Sequence, residues 1–72
     1  MEKKEVALTN KQMELLKLLV NGYDSREIAE MLNIKLNTVE TYRSIIGIKL
    51  GIYDLAGLVK YGLKHNLTTL LI

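Results

Sequence analysis

Apolar residues recur along this chain at the three- and four-residue steps of an α-helix, in four blocks separated by short breaks. The first block carries Leu15, Leu16, Leu19 and Val20. Thr9 stands before it with Gln12 three residues on, a pairing in which two side chains satisfy each other's backbone N–H groups at a helix start. Gly22 follows, able to take the left-handed conformation that closes a helix. This pattern predicts a first helix over about residues 9–21. In the second block Asp24 and Glu27 repeat the capping pair, and Ile28, Ala29 and Leu32 share an inner side. Asn33, which tolerates the left-handed conformation, ends that helix at about residues 24–33.

The third block predicts a helix over about residues 36–50, stopped by Gly51. Val39, Tyr42, Ile46 and Leu50 fall on one side of it. At ~100° per residue, Asn37, Thr41, Ser44 and Ile48 fall roughly opposite, with Glu40 on the shoulder. Asp54 is an N-cap type and opens a fourth helix over about residues 54–66, with Leu55, Leu58, Val59 and Leu63 as its apolar stripe. Gly57 and Gly62 interrupt that stripe, each weakening a helix by roughly 1 kcal/mol relative to alanine. Either they permit close packing or this helix is soft.

The fold class is therefore all-α, with four helices. The second and third are joined by a turn at Asn33, with small Ala29 where they must pass closely and Ile28, Leu32, Ile34 and Val39 to fill the wedge between them. That is the arrangement of a helix-turn-helix, whose second helix presents a polar side able to enter a DNA groove. The plainer reading is an ordinary helical hairpin with a small residue at its crossing.

Composition narrows the picture. Seventy-two residues make one domain with a small core, and the absence of cysteine leaves no disulfide or thiolate metal site to reinforce it. A hydrophobic share of 49% argues against disorder. Net charge +2 permits nucleic-acid binding without requiring it. No apolar run approaches the ~20 residues of a membrane span, and the opening MEKKEVALTN lacks the apolar centre of a signal peptide. A bacterial cytoplasmic protein is expected, with no membrane partner. Residues 1–7 are charged and expected to be a flexible segment ahead of a domain over 8–72, while the tail NLTTLLI is expected to pack. The chain offers no nucleophile–base pair, no phosphate-cradling glycine loop, and a single histidine, His65. Neither catalysis, metal nor cofactor is expected.

Leu8-Thr9, Gly22, Glu27-Ile28-Ala29, Thr38-Val39 and Lys49-Leu50-Gly51, followed by Leu58-Val59, resemble the LuxR/GerE-type family of bacterial transcription regulators. The resemblance runs from Leu8 to about Leu67. Region 4 of sigma factors shares the first half of these motifs, but not usually the Lys-Leu-Gly end or this fourth helix. The resemblance implies a tetrahelical domain whose third helix lies in the major groove and whose second crosses the DNA backbone. It also implies a fourth helix that often mediates a homodimer on inverted half-sites. Such domains serve as outputs of response regulators and quorum-sensing receptors, and as small stand-alone regulators. The chain begins at Met1 and shows no second domain, which leaves a stand-alone regulator and a piece of a longer one both open.

Residue chemistry and resemblance together assign roles. Asn37, Glu40, Thr41 and Ser44 are the candidates for base edges: asparagine pairs with adenine, glutamate accepts from the cytosine amino group, and the threonine methyl meets that of thymine. Lys35, Thr38, Arg43 and Lys49 are candidates for phosphate, with Ser25 and Arg26 at the start of the second helix, where the helix terminus assists. The plainer alternatives are a surface pair between Glu40 and Arg43, a cation near a helix end at Lys49, local capping by Thr38, a first-turn role for Ser25, and solvated side chains elsewhere. Three positions depart from the family pattern. Glu40 stands where lysine or arginine is usual, Lys35 where a serine N-cap is usual, and Leu55 where arginine is usual. A carboxylate facing DNA is repelled unless it finds a cytosine amine. Leu58, Leu63, Leu67 and Leu70, with Tyr61 at the edge, are the expected dimer surface; the alternative buries these residues in the monomer. Ile45 and Ile48 are expected to be exposed, and the four tyrosines half-buried. The expected partners are double-stranded DNA and a second copy. A helical protein-interaction module with little DNA affinity is the rival reading, and a sigma-like fragment acting with RNA polymerase is another.

Overall fold

A computed structural model describes residues 8–67 of the chain. The predicted flexible segment 1–7, Leu70 and the rest of the apolar tail from residue 68 lie outside the described residues. Within them are four helices and no strand: α1 Asn10–Val20, α2 Ser25–Leu32, α3 Leu36–Leu50 and α4 Leu55–Lys64. The chain is all-α, as its hydrophobic spacing requires.

Each start is set by the residue the sequence marks. At α1 the Gln12 amide N–H donates to Thr9 Oγ1 and the Thr9 N–H donates to Gln12 Oε1, both at 3.1 Å. At α2 the same reciprocal pair joins Asp24 and Glu27, at 2.9 and 2.8 Å. At α4 Asp54 Oδ2 accepts from the Gly57 N–H at 3.1 Å. Only Lys35, before α3, provides no side-chain cap.

The ends share one device. Gly22, Asn33, Gly51 and Asn66 all have positive φ just past a helix, and the backbone N–H of the next residue reaches back to a carbonyl in the last turn. The pairs are Tyr23 to Leu18, Ile34 to Ala29, Ile52 to Gly47 and Leu67 to Gly62. This closure satisfies carbonyls that a helix end leaves open, and it favours an apolar residue after the left-handed position. Ile34, Ile52 and Leu67 accordingly pack against the core. Helix geometry and core formation are thus linked at three of the four ends.

The core is built on α1, which supplies Leu15, Leu16, Leu19 and Val20; Ile28, Val39, Ile46 and Leu58 come from the other three helices. All three pack against α1, and α2 also packs against α3. Among the described residues α3 and α4 do not approach each other closely. Between them lies a cleft of about 320 Å³ bordered by Glu40, Ser44, Tyr53 and Leu55.

The two glycines of α4 resolve in favour of close packing. A methyl group on Gly62 would sit 2.9–3.1 Å from three carbons of Val20, which is buried. On Gly57 it would come within 2.6 Å of an Ile52 methyl. Gly62 lets α4 lie directly on α1, and the Asn21 Nδ2 group locks that contact by donating to the Leu67 carbonyl at 3.1 Å.

Three expectations about exposure need correction. Leu58 is only 6% exposed and completes the monomer core, so it is not surface for a partner. Gly62 in the next turn brings α4 so near α1 that this side of the helix is covered. Ile45 is half-buried, because it lies between the core side of α3 and the open side; Ile48 is 68% exposed. Tyr42 and Tyr61 are half-buried, but Tyr23 and Tyr53 are exposed, both lying in loops after helix ends.

Candidate nucleic-acid interface

Val39 and Ile46 are fully buried against α1 and α2, which fixes the rotation of α3 about its own axis. The opposite side then has to face outward. Asn37, Glu40, Thr41 and Ser44 are all exposed there, in one stripe that Ile48 extends toward the C-terminus. The Thr41 hydroxyl donates to the Asn37 carbonyl at 3.0 Å, one turn back, so its proton is already committed within the helix. The structure therefore brings the four base-edge candidates together on a single convex surface.

The phosphate candidates divide. Lys35 and Arg26 are exposed, at the starts of α3 and α2, and Thr38 is half-exposed in the first turn of α3. The absence of a side-chain cap at Lys35 leaves the positive end of the α3 dipole accessible beside a lysine. Arg43 and Lys49 are half-buried and already hydrogen-bonded within the domain. Arg43 Nη1 donates to Ser25 Oγ at 2.8 Å, pinning the middle of α3 to the first residue of α2. Lys49 Nζ donates to Gln12 Oε1 at 2.9 Å, pinning the end of α3 to the first turn of α1.

These two tethers change the reading of three residues. Ser25 is buried at the helix junction and serves as the acceptor for Arg43, a different position from the open rim where a first-turn serine would meet phosphate. Arg43 turns to Ser25, not to Glu40 one turn back on its own helix. Gln12, identified in the sequence only as a capping residue, is buried and holds two donors on one carbonyl oxygen: the Thr9 N–H and the Lys49 ammonium. No sequence signal marks the second of these contacts, because Gln12 and Lys49 are 37 residues apart on different helices.

On the side of α4 expected to pair with a second copy, Leu63 is 51% exposed, and Leu55 is similarly open. Tyr61 is half-buried and stacks on exposed His65, with ring centroids 4.2 Å apart. Leu67 is half-buried against the core. A shallow, mostly apolar depression of about 430 Å³ runs along this helix, between Ile52, Gly57, Tyr61 and Leu63, with Lys60 and Lys64 on its border.

The sequence that builds these helices has counterparts among known proteins. The family model of bacterial regulatory proteins of the luxR family matches residues 6–61, which takes in α1, α2, α3 and most of α4. The chain belongs to the LuxR family. Its four helices are that family's helix-turn-helix domain, a DNA-binding domain of transcription regulation and not an enzyme class. Over 62 residues the chain is 42% identical to the transcriptional regulatory protein MctR of Rhizobium johnstonii, a match that covers 86% of this chain and 29% of that protein. Over 60 residues it is 40% identical to the oxygen regulatory protein NreC of Staphylococcus aureus, covering 83% of this chain and 28% of NreC. This LuxR-family chain thus spans less than a third of the length of either relative. No helix among the described residues is long and apolar enough to cross a membrane.

Proposed function

We propose that this LuxR-family domain binds double-stranded DNA by laying α3 in the major groove, with Asn37, Glu40, Thr41 and Ser44 toward base edges. Arg26, Lys35 and Arg43 lie over phosphates, with Thr38 beside them. Lys49 holds α3 on α1, and Ser25 holds Arg43. The observation that carries the reading is the exposed polar stripe of α3, set directly opposite the buried Val39 and Ile46, on a helix fixed to α2 by Arg43 and to α1 by Lys49. A B-DNA major groove, ~12 Å wide, accepts an α-helix presented in this way.

The test is fluorescence anisotropy of a labelled duplex titrated at two salt concentrations. Three cations on the docking side imply a slope of log K against log salt of about −3 per chain, so affinity is expected to fall about fortyfold between ~50 and ~200 mM salt. A folded protein that binds equally at both concentrations, or at neither, overturns the docking reading.

The domain acts as a homodimer in this proposal, through the exposed side of α4. Leu63 and Leu55 are open there while Leu58 and Gly62 are occupied by α1, so the apolar surface left over is continuous with the mostly apolar depression beside it. Two-fold pairing would also match the two half-sites that helix-turn-helix dimers read. In sedimentation over a concentration series, the wild-type mass is expected to rise toward twice that of the chain, and a Leu63→Glu variant is expected to stay monomeric. A wild-type chain that remains monomeric up to about 100 μM ends this part of the proposal.

A further inference from the structure

The base-facing stripe contains one group whose state is unlike its neighbours. Glu40 is the only acid in α3, it is exposed, and its carboxylate forms no hydrogen bond or ion pair among the described residues. The cation one turn ahead, Arg43, is held by Ser25 at 2.8 Å. Asp54 borders the cleft beside Glu40, and it brings a second negative charge, already engaged with the Gly57 N–H. Among the described residues no hydrogen bond or ion pair neutralises Glu40.

We infer that Glu40 sets the base preference of this domain, by accepting a hydrogen bond from a cytosine amino group and rejecting sites without one. The inference rests on the docking of α3 proposed above. A carboxylate has only acceptor atoms, so it needs a donor in the groove. Guanine presents two acceptors there and thymine an acceptor and a methyl group. Adenine has an amino donor, but its N7 acceptor lies alongside and opposes a second carboxylate oxygen. Cytosine alone presents a donor with no acceptor on its own base edge. The other three residues of the stripe are neutral and tolerate several bases. Glu40 is different because its wrong pairings are repulsive, and phosphates add to that repulsion at every site. Its contribution is discrimination: it lowers affinity for DNA in general and restores it at one kind of position.

Selection from a pool of randomised duplexes tests this, with the 72-residue chain and three variants at the exposed position. Circular dichroism on each variant establishes that the fold is kept. The wild type is expected to enrich cytosine at one position of the half-site, at about tenfold over the other bases, the usual scale of a single mismatch. Glu40→Ala is expected to lose the preference at that position alone, while the remaining positions stay as they were. Glu40→Gln is expected to shift it to adenine and Glu40→Lys to guanine, following the pairing geometry of those side chains. Identical preferences at every position in the wild type and Glu40→Ala overturn the inference and leave the docking of α3 standing. A wild type that enriches no sequence and shows no salt-sensitive binding overturns the docking itself, and this inference with it.

Discussion

Replacing Leu16 with alanine is expected to leave a large share of the molecules unfolded at room temperature. Leu16 is fully buried in α1, the helix against which all the others pack. A leucine-to-alanine change at such a site removes apolar contacts and leaves a cavity, costing about 2–5 kcal/mol. A domain of this size, with no disulfide to reinforce it, holds only about 3–5 kcal/mol of net stability. The two quantities are comparable, so one substitution is enough. Relaxation cannot close the gap cheaply, because three helices converge on α1 and no single one can move in without leaving another. Leu36→Ala is the matched control: the same chemistry on an exposed leucine at the start of α3, outside the proposed dimer surface, is expected to change stability far less. Urea unfolding followed by circular dichroism checks both. A Leu16→Ala midpoint close to the wild type would show that the core is not centred on α1.

Arg43→Ala is expected to weaken binding to every duplex by about tenfold at ~0.1 M salt and to reduce the slope of log K against log salt by about 1. That is the effect of removing one cation from a phosphate. The Ser25 contact separates this role from a positioning one. In Ser25→Ala the charge remains, but the guanidinium loses the acceptor that aims it from 2.8 Å. The slope is then expected to stay at its wild-type value while affinity falls by a smaller factor, through the greater freedom of the arginine. If Arg43→Ala left the slope unchanged, Arg43 would be a structural tether only. The phosphates would then have to be met by Lys35 and Arg26.

The sequence made some features legible and hid others, for a common reason. Capping by Thr9, Asp24 and Asp54 depends on residues three apart, and the left-handed closures at Gly22, Asn33 and Gly51 on single residues with special backbone freedom. These local rules held at each of those positions. Asn66 obeys the same rule where the fourth helix is expected to end, although the helix itself stops at Lys64. The rotation of α3 was readable as well, since Val39 and Ile46 are seven residues apart on one side. The tethers were not. Ser25 and Arg43 are 18 residues apart and Gln12 and Lys49 are 37 apart, and no periodicity relates positions on different helices. The same limit explains Leu58. An apolar stripe names a side of a helix but does not say which of its members another helix covers. On α4 the answer came from Gly62, whose missing side chain draws Leu58 inward and leaves Leu55 and Leu63 outside.

The placement of α4 on α1 alone has a consequence for how the chain assembles. A growing chain delivers its N-terminal part first. When α1, α2 and α3 have emerged from a ribosome, the helix-turn-helix can already form, because its contacts lie close together along the chain. One side of α1, around Val20, still has no cover until Gly62 and Leu58 arrive some forty residues later. Throughout that interval the nascent domain carries a bare apolar strip, and α4 is the part that shields it from chaperones and from other unfinished chains.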